Sequence, residues 1–530
     1  MPADDFDAIV IGAGHNGLVC AAYLARAGMK TLLVEARSSV GGTASSERFG
    51  GATVNICSCD HITFRTTPVM EELRLADHGL RYLDVEPAQI NMTWDGSPAW
   101  PLFHDVERTL DALARTYPRE VDGYRRYVKA AIPAVHMVFA AANDPPSLAG
   151  ITRKVLTKRG RGAATLLRWS RRSAADVIRS YFTAEALRAP AMVTGPMVWG
   201  ISPETPGSGL GALTYALRHA GTVGRPVGGS GMVPTSIAAS FAVSGGSLWL
   251  SSSVASIDCE GERVRGVTLV DGTQAFAQFV VSACNPHDTF LKWLRNPPPQ
   301  ATTMIDRWKA MPHHQGYESK IDAIVTEPPR LRAFETFDDV GSTFEALDAM
   351  TVIAPPLAEI HRGHALMSSG EVLEEPGLLF NVPSVLDPTM APTRSQADAR
   401  AAGHVVSLET LYTPYALRGG WLDSTEPRRW LEQFATLVQP GWLDSIGEWR
   451  AMTPDRYERE FHLPAGHATS FAGGPLAAFH NPDPELTRYA TAVDGLYLTG
   501  AATFPGAGIW GASGRNAALT VLRHRSRHRS

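Results

Sequence analysis

The stretch "DAIVIGAGHNGLVCAAYLARAGMKTLLVEARSSVGG", residues 7–42, decides the fold. Ala8 to Ile11 form a short apolar run, as a fully buried parallel strand requires. Gly12-x-Gly14-x-x-Gly17 follows at once, then "LVCAAYLARAG", an apolar-periodic helix closed by Gly28. A second buried strand, "KTLLVE", ends in the acidic Glu35, eighteen residues beyond Gly17. Strand, glycine turn, helix, strand and acid stand in the order of a dinucleotide-binding βαβ unit. Gly12 permits the tight turn, Gly14 lets backbone approach a diphosphate, and Gly17 brings helix against strand. The helix N-terminus offers free N–H groups and about half a positive charge to the phosphates.

Two further features narrow the dinucleotide. Glu35 suits ribose hydroxyls and repels a 2′-phosphate, which disfavours an NADP-type ligand. Gly41 and Gly42 come six residues after Glu35, with Thr43, Ser45 and Ser46 behind them. A second glycine loop there folds back over the diphosphate, and its hydroxyls hydrogen-bond phosphate oxygens. A nicotinamide that leaves at each turnover needs no second clamp. A flavin that stays is suited by one, so the expected cofactor is FAD.

The far end carries a matching signal in "VDGLYLTGAATFPGAGIWGASGRNAALTVLRH". A strand over 495–499 runs into a turn at Gly500, and a helix spans Ser513 to His524. Gly506-x-Gly508-x-x-Gly511 copies the dinucleotide spacing but lacks a strand before it, so no second nucleotide is expected. The positive end of this helix, at Gly511, Ala512 and Ser513, is suited to the charge that a reduced flavin carries on its pyrimidine edge. Between the ends, residues 228–287 read as a glycine loop, a helix, and a meander through "SLWL", "VASIDCE", "RVRGVTLV" and "QAFAQFVVSA".

On these motifs the chain resembles the phytoene desaturase-like FAD-dependent oxidoreductases, within the wider amine oxidase-related superfamily. It is most similar to the branch of carotenoid ketolase-like bacterial proteins and pyridine nucleotide-disulfide oxidoreductase domain-containing protein 2. The resemblance implies an α/β fold: a Rossmann-type FAD-binding domain of the glutathione-reductase-2-like kind, with a mixed α+β substrate domain inserted. It implies FAD-domain segments at 1–61, 221–289 and 485–530, and substrate-domain segments at 62–220 and 290–484. It further implies that the strand from Val254 passes the adenine and that Gly500-Ala501 and Gly511-Ala512-Ser513 hold ribityl, phosphate and ring. Many relatives place an acidic or polar residue at position 501, where this chain has Ala, so one ribityl contact is expected to be missing. The following residues, Thr43-Ala44-Ser45, hold no redox cysteine pair, and Cys57-x-Cys59 is too tightly spaced for one.

Totals set the remaining bounds. A chain of 530 residues exceeds one growing core, so two domains are expected. A net charge of -4 argues against a nucleic-acid partner. Five cysteines, an acidic N-terminus with Asp4, Asp5 and Asp7, and no run of about 18 apolar residues fit a cytoplasmic protein. Residues 151–172 carry eight Lys and Arg and no acid, with Leu166, Leu167 and Trp169 among them. Two readings stand: a peripheral contact with an anionic membrane surface, or a solvated helix face. The terminal Arg523–Arg529 run reads as a frayed end.

The expected chemistry is hydride transfer from a small lipophilic, polyene-like substrate to flavin N5, making the chain a desaturase or dehydrogenase. Its electron acceptor is open between oxygen and quinone. Such chemistry asks little of side chains beyond positioning. His61, in "CSCDHITFRT", is a candidate proton acceptor, against the commoner reading of a buried structural histidine. Trp510 is a candidate pocket wall. A flavin amine oxidase, and a flavin-bearing interaction protein with little turnover, remain alternatives. Neither metal spacing nor a GxSxG elbow occurs.

Overall fold

In the computed structural model the described residues are 5–57, 59–147, 162–196, 199–338, 344–392, 403–467 and 483–529, with Gly150, 152–153 and Gly160. Two large sheets organise them. The first has eight strands drawn from three parts of the chain. Its centre is parallel: Leu496–Leu498, Gln274–Ser282, Phe6–Ile11, Thr31–Val34 and Ser247–Trp249 lie side by side. Every residue of Thr31–Val34 is buried, as expected of a strand with helices on both faces. Val254–Glu260, Arg263–Leu269 and Gln274–Ser282 continue the sheet as an antiparallel meander, edged by Leu294–Arg295. "SLWL" is not part of that meander. It adds to Thr31–Val34 in parallel, because the helix Met232–Val243 returns the chain to the far edge.

The helix after the glycine turn, His15–Arg26, buries nine residues, among them Leu18, Val19, Ala22 and Leu24. The last helix packs along it so closely that a Cβ on Gly514 would sit 2.1 Å from the Asn16 carbonyl oxygen. That helix runs from Ala512 to Arg529 rather than fraying at Arg523. Tyr497 and His524 Nδ1 hydrogen-bond at 2.7 Å, and Arg525 reaches Asp7 at 3.5 Å, so its basic turns are tied to the first sheet.

The second sheet has seven strands, in the order Ile446–Met452, Tyr317–Val325, His404–Thr413, Leu378–Asn381, Thr351–Ala354, Gln89–Thr93 and Trp100–Leu102. Successive side chains of a strand point to opposite faces, so the register sorts them. One face carries Ile321, Ala323, Val406, Leu408, Phe380, Ile353 and Ile90, all in one apolar cluster with Trp430, Leu431 and Phe434 of the helix Glu426–Ala435. The other face carries Glu318, Lys320, Asp322, Ser407, Glu409, Asn381, Gln89 and Asn91. That polar face is covered too. Lys320 Nζ donates to the Asn55 carbonyl at 2.7 Å, Arg450 donates to Glu47 at 3.0 Å, and Arg225 donates to Asn381 at 2.7 Å. The chain just after the second glycine loop therefore lies directly on it.

No helix among the described residues is long and apolar enough to cross a membrane. Residues 151, 154–159 and 161 of the basic stretch lie outside the described residues. Of its apolar side chains, Leu166 and Trp169 point into the core and Leu167 is exposed.

Candidate active site

The glycines of the opening motif divide by what surrounds them. Gly12 has φ +92°, and a Cβ there would meet Cys284 Sγ at 2.8 Å. A Cβ on Gly17 would lie 2.0 Å from the Gly12 carbonyl oxygen, so only glycine lets this helix rest on this turn. Gly14 is different: nothing lies within 4 Å of its missing side chain. It borders open space, where a diphosphate would fit. The helix that starts there has no acidic residue in its first turn and no side-chain cap, so its first N–H groups are left for a ligand.

The second glycine loop closes over the first. Gly41 N–H donates to the Ala13 carbonyl at 2.8 Å, Gly14 and Gly41 form a bridge, and a Cβ on Gly42 would be 3.5 Å from Gly14 Cα. Gly41 takes φ +117°, and Gly42, Thr43 and Ala44 make a single 3-10 turn. Glu35 accepts the Ala13 N–H at 2.7 Å and the Arg37 N–H at 2.8 Å. Those bonds, invisible in the spacing, hold its carboxylate at the groove edge with lone pairs to spare for a ribose. Ser252 N–H donates to the Glu35 carbonyl at 2.8 Å, which sets Val254, the first residue of its strand, beside the same end of the groove.

The C-terminal segment meets the other end. Ser513 Oγ accepts from Gly500 N–H at 3.1 Å and pairs with Thr499 at 2.8 Å, which pins the Gly500 turn to the start of the last helix. Gly500 has φ +101° and stands against Ala283, the residue that also packs on Gly12. Ala501 follows in the same turn and offers no polar group of its own. The start of the last helix, at Gly511, Ala512 and Ser513, thus lies beside the start of the first, at Gly14, His15 and Asn16. His15 Nε2 and Asn16 Oδ1 are buried without a partner among the described residues. Burial holds the His15 ring neutral, pulled down to about 4. Unsatisfied polar atoms at the start of the first helix, beside a glycine with open space, fit a polar ligand.

Other expected residues fall elsewhere. His61 is 2% exposed, with Nδ1 2.8 Å from the Tyr82 hydroxyl and Nε2 2.6 Å from Ser230 Oγ. Burial, then the charges of His15 and Arg65, lowers it to about 3, so it is neutral and fully partnered. Trp510 is 7% exposed, edge-on to Phe139, and its Nε1 donates to Ala507. Cys57 and Cys59 are free thiols, like all five cysteines. No group of metal-binding side chains occurs among the described residues.

Sequence reasoning missed the polar face of the second sheet. Lys320 pairs with Asp322, which Arg450 also approaches at 3.4 Å. Glu318 and Glu409 lie mid-sheet yet keep accessible surface, as does Cys57, whose Sγ is 3.4 Å from Glu318. Interior side chains that keep accessible surface border space between the sheet and the chain that covers it. Burial, followed by the neighbouring Glu318 charge, pushes the Glu409 carboxyl well up. The alternation in "YESKIDAIV" announced this face, but not that protein covers it.

The profile of the flavin containing amine oxidoreductases matches residues 17–321, more than half of the chain. The chain belongs to that family. The pyridine nucleotide-disulfide oxidoreductase domain-containing protein 2 of Rattus norvegicus is 28% identical to it over 98% of this chain and 94% of that one. A lycopene-forming phytoene desaturase of Pantoea ananas is 26% identical over 97% and 98% of the two chains. The solved cyclohexylamine oxidase of Brevibacterium oxydans IH-35A superposes with a TM-score of 0.60 at 16% identity, covering 99% of this chain and all of that one, which shows the fold. The chain is therefore a phytoene desaturase-like member of the flavin oxidoreductases, and FAD is its cofactor. The two glycine loops, Glu35 and the starts of the first and last helices are the residues that would hold FAD. Bound flavin supplies a two-electron acceptor for hydride.

Proposed function

We propose that the chain is a flavin-dependent dehydrogenase or desaturase, taking hydride from a lipophilic organic molecule to leave a double bond. The observation that carries this reading is the near end-to-end similarity to a phytoene desaturase, whose name describes such a reaction. The cavity at Glu318, Glu409 and Cys57 supports it. It lies where the chain that follows the glycine clamp meets the second sheet. In this reading the segments 62–220 and 290–484 build the substrate side, and residues 1–61, 221–289 and 485–530 the FAD side. The electron acceptor is oxygen or a membrane quinone, and the basic stretch 151–172 rests against the membrane.

Amine oxidation is the second reading, favoured by the Glu318 carboxyl facing the cavity, which would attract an ammonium group. One experiment separates the readings. FAD-loaded protein is mixed anaerobically with polyenes, terpenes and amines while flavin absorbance is followed. Bleaching by apolar substrates alone supports dehydrogenation of a lipophile; bleaching by amines alone overturns it. Flavin that no donor reduces would favour the interaction-protein alternative.

A further inference from the structure

The glycine loops and the C-terminal segment are mostly buried, yet a line of residues through them keeps accessible surface. Gly14, His15 and Gly42 do so in the first part of the chain, Ala501 and Gly508 in the last. Their neighbours Ala13, Asn16 and Ile509 are buried. A Cβ on Gly14 would meet nothing within 4 Å, and one on Gly42 would lie 3.5 Å from Gly14 Cα. There is therefore room for a ligand beside His15, on the side where the second glycine loop closes.

His15 is the first residue of its helix, and its ring reaches the C-terminal segment. The Gly508 backbone accepts a hydrogen bond from it, and its Nε2 has no partner among the described residues. His61 is close enough to feel its charge, but both nitrogens of His61 are already held by Tyr82 and Ser230. A neutral imidazole has one N–H and one lone pair. With the N–H given to Gly508, the nitrogen left over is an acceptor. Flipping the ring changes which nitrogen that is, not that one acceptor remains.

That decides which part of FAD can satisfy it. Phosphate oxygens only accept, so the diphosphate at Gly14 cannot pair with an acceptor. The donors of FAD are its sugar hydroxyls, the adenine amino group and N3–H of the flavin ring. Glu35, bonded to the Ala13 N–H, stands at the ribose end. His15 lies past Gly14 in the other direction, against Gly508, and the first donors beyond the diphosphate on that side are ribityl hydroxyls. No rival acceptor comes from the neighbouring turn: Ala501 has no polar side chain, and the hydroxyls of Thr499 and Thr503 pair with Ser513.

We propose that His15 is a cofactor-binding residue whose remaining ring nitrogen accepts a hydrogen bond from a ribityl hydroxyl of FAD. The proposal rests on FAD as the cofactor and is independent of the substrate. Buried polar atoms are normally paired, and this one gains its partner only when the cofactor is in place. The ring therefore contributes to FAD affinity and adds nothing to the stability of the apoprotein through that nitrogen.

The test titrates the full-length apoprotein with FAD and with its 2′-, 3′- and 4′-deoxyribityl analogues, following flavin fluorescence. One analogue is expected to bind at least tenfold more weakly than FAD. His15→Leu is expected to weaken FAD at least tenfold and to bind that analogue within threefold of FAD. The melting temperature of the His15→Leu apoprotein is expected to be unchanged or higher, because an unpaired buried nitrogen has been removed. Equal affinity of the unaltered chain for FAD and all three analogues would overturn the proposal. So would a preference for FAD that persists in His15→Leu, or an apoprotein melting temperature that falls along with the affinity. If His15→Leu does not fold, His15→Met takes its place, and failure of both to fold would make the ring structural and overturn the proposal too.

Discussion

Lys320 and Glu409 stand directly opposite each other on neighbouring strands, yet the lysine spends its charge elsewhere. Lys320 pairs with Asp322 and donates to the Asn55 carbonyl, so Glu409 is left facing Glu318. A buried cation thereby ties the second sheet to the chain beyond the glycine clamp, and an acid of raised pKa is left on the cavity wall. Both halves of that arrangement can be measured.

Replacing Lys320 by Met removes the cation and leaves Asp322 buried, with Arg450 at 3.4 Å as its remaining partner. The expected cost is about 3–5 kcal/mol in denaturant unfolding. Replacing Lys320 and Asp322 together by Met and Leu is expected to cost less than the single change, because no charge is stranded. A double replacement that costs more than the single one would mean that the pair stabilises the fold outright.

The raised Glu409 pKa fixes a sign for the pH dependence of stability. The native state keeps a proton that the unfolded chain releases near the ordinary value of 4.5. The stabilisation is complete below that value and is lost as pH rises through the native pKa. Glu409→Gln, which cannot ionise, is expected to flatten the fall in melting temperature on the alkaline side and to match the unaltered chain below about pH 4. Parallel curves across the whole range would show that Glu409 is ionised in the fold.

His61 gives the opposite slope. Its native value of about 3 lies below the ordinary 6.5, so its share of stability is present above 6.5 and is lost as pH falls towards 3. His61→Phe gives up two hydrogen bonds, to Tyr82 and Ser230, at about 1–3 kcal/mol. Because both ring nitrogens are occupied, the pH profile of flavin reduction is expected to keep its shape. A lost acidic limb in that profile would make His61 the proton acceptor after all.

Gly14 and Gly17 separate cofactor from fold. Ala at Gly14 enters open space, and its φ of -62° is ordinary, so the apoprotein is expected to keep its melting temperature while FAD affinity drops at least tenfold. Ala at Gly17 would collide with the Gly12 carbonyl and Ala283, at a cost of about 1–3 kcal/mol or more, and FAD would be lost with stability. Differential scanning calorimetry with released-flavin absorbance reads both.

The residues that would hold FAD were legible because each acts through local backbone. Glycine at 12, 41 and 500 is demanded by positive φ in local turns, and at 17 by the approach of its helix to the Gly12 carbonyl. The acid at 35 sits at a distance along the chain that the βαβ unit dictates. Alternation in Tyr317–Val325 is the signal by which the shared face of Glu318, Lys320 and Asp322 could have been found.

What alternation cannot say is what that face meets, since a polar stripe looks the same against water, a cofactor or a cavity. Only the tertiary structure laid Asn55, Cys57 and Arg225 over it, from positions tens to hundreds of residues away. The same packing turned Leu166 and Trp169 inward and gave His61 a partner on each nitrogen. Sequence by itself determined the glycine turns and the βαβ unit at the N-terminus, because they are made of local geometry. The burial of charge around the cavity was decided in three dimensions, because desolvation depends on whichever distant segments come to rest there.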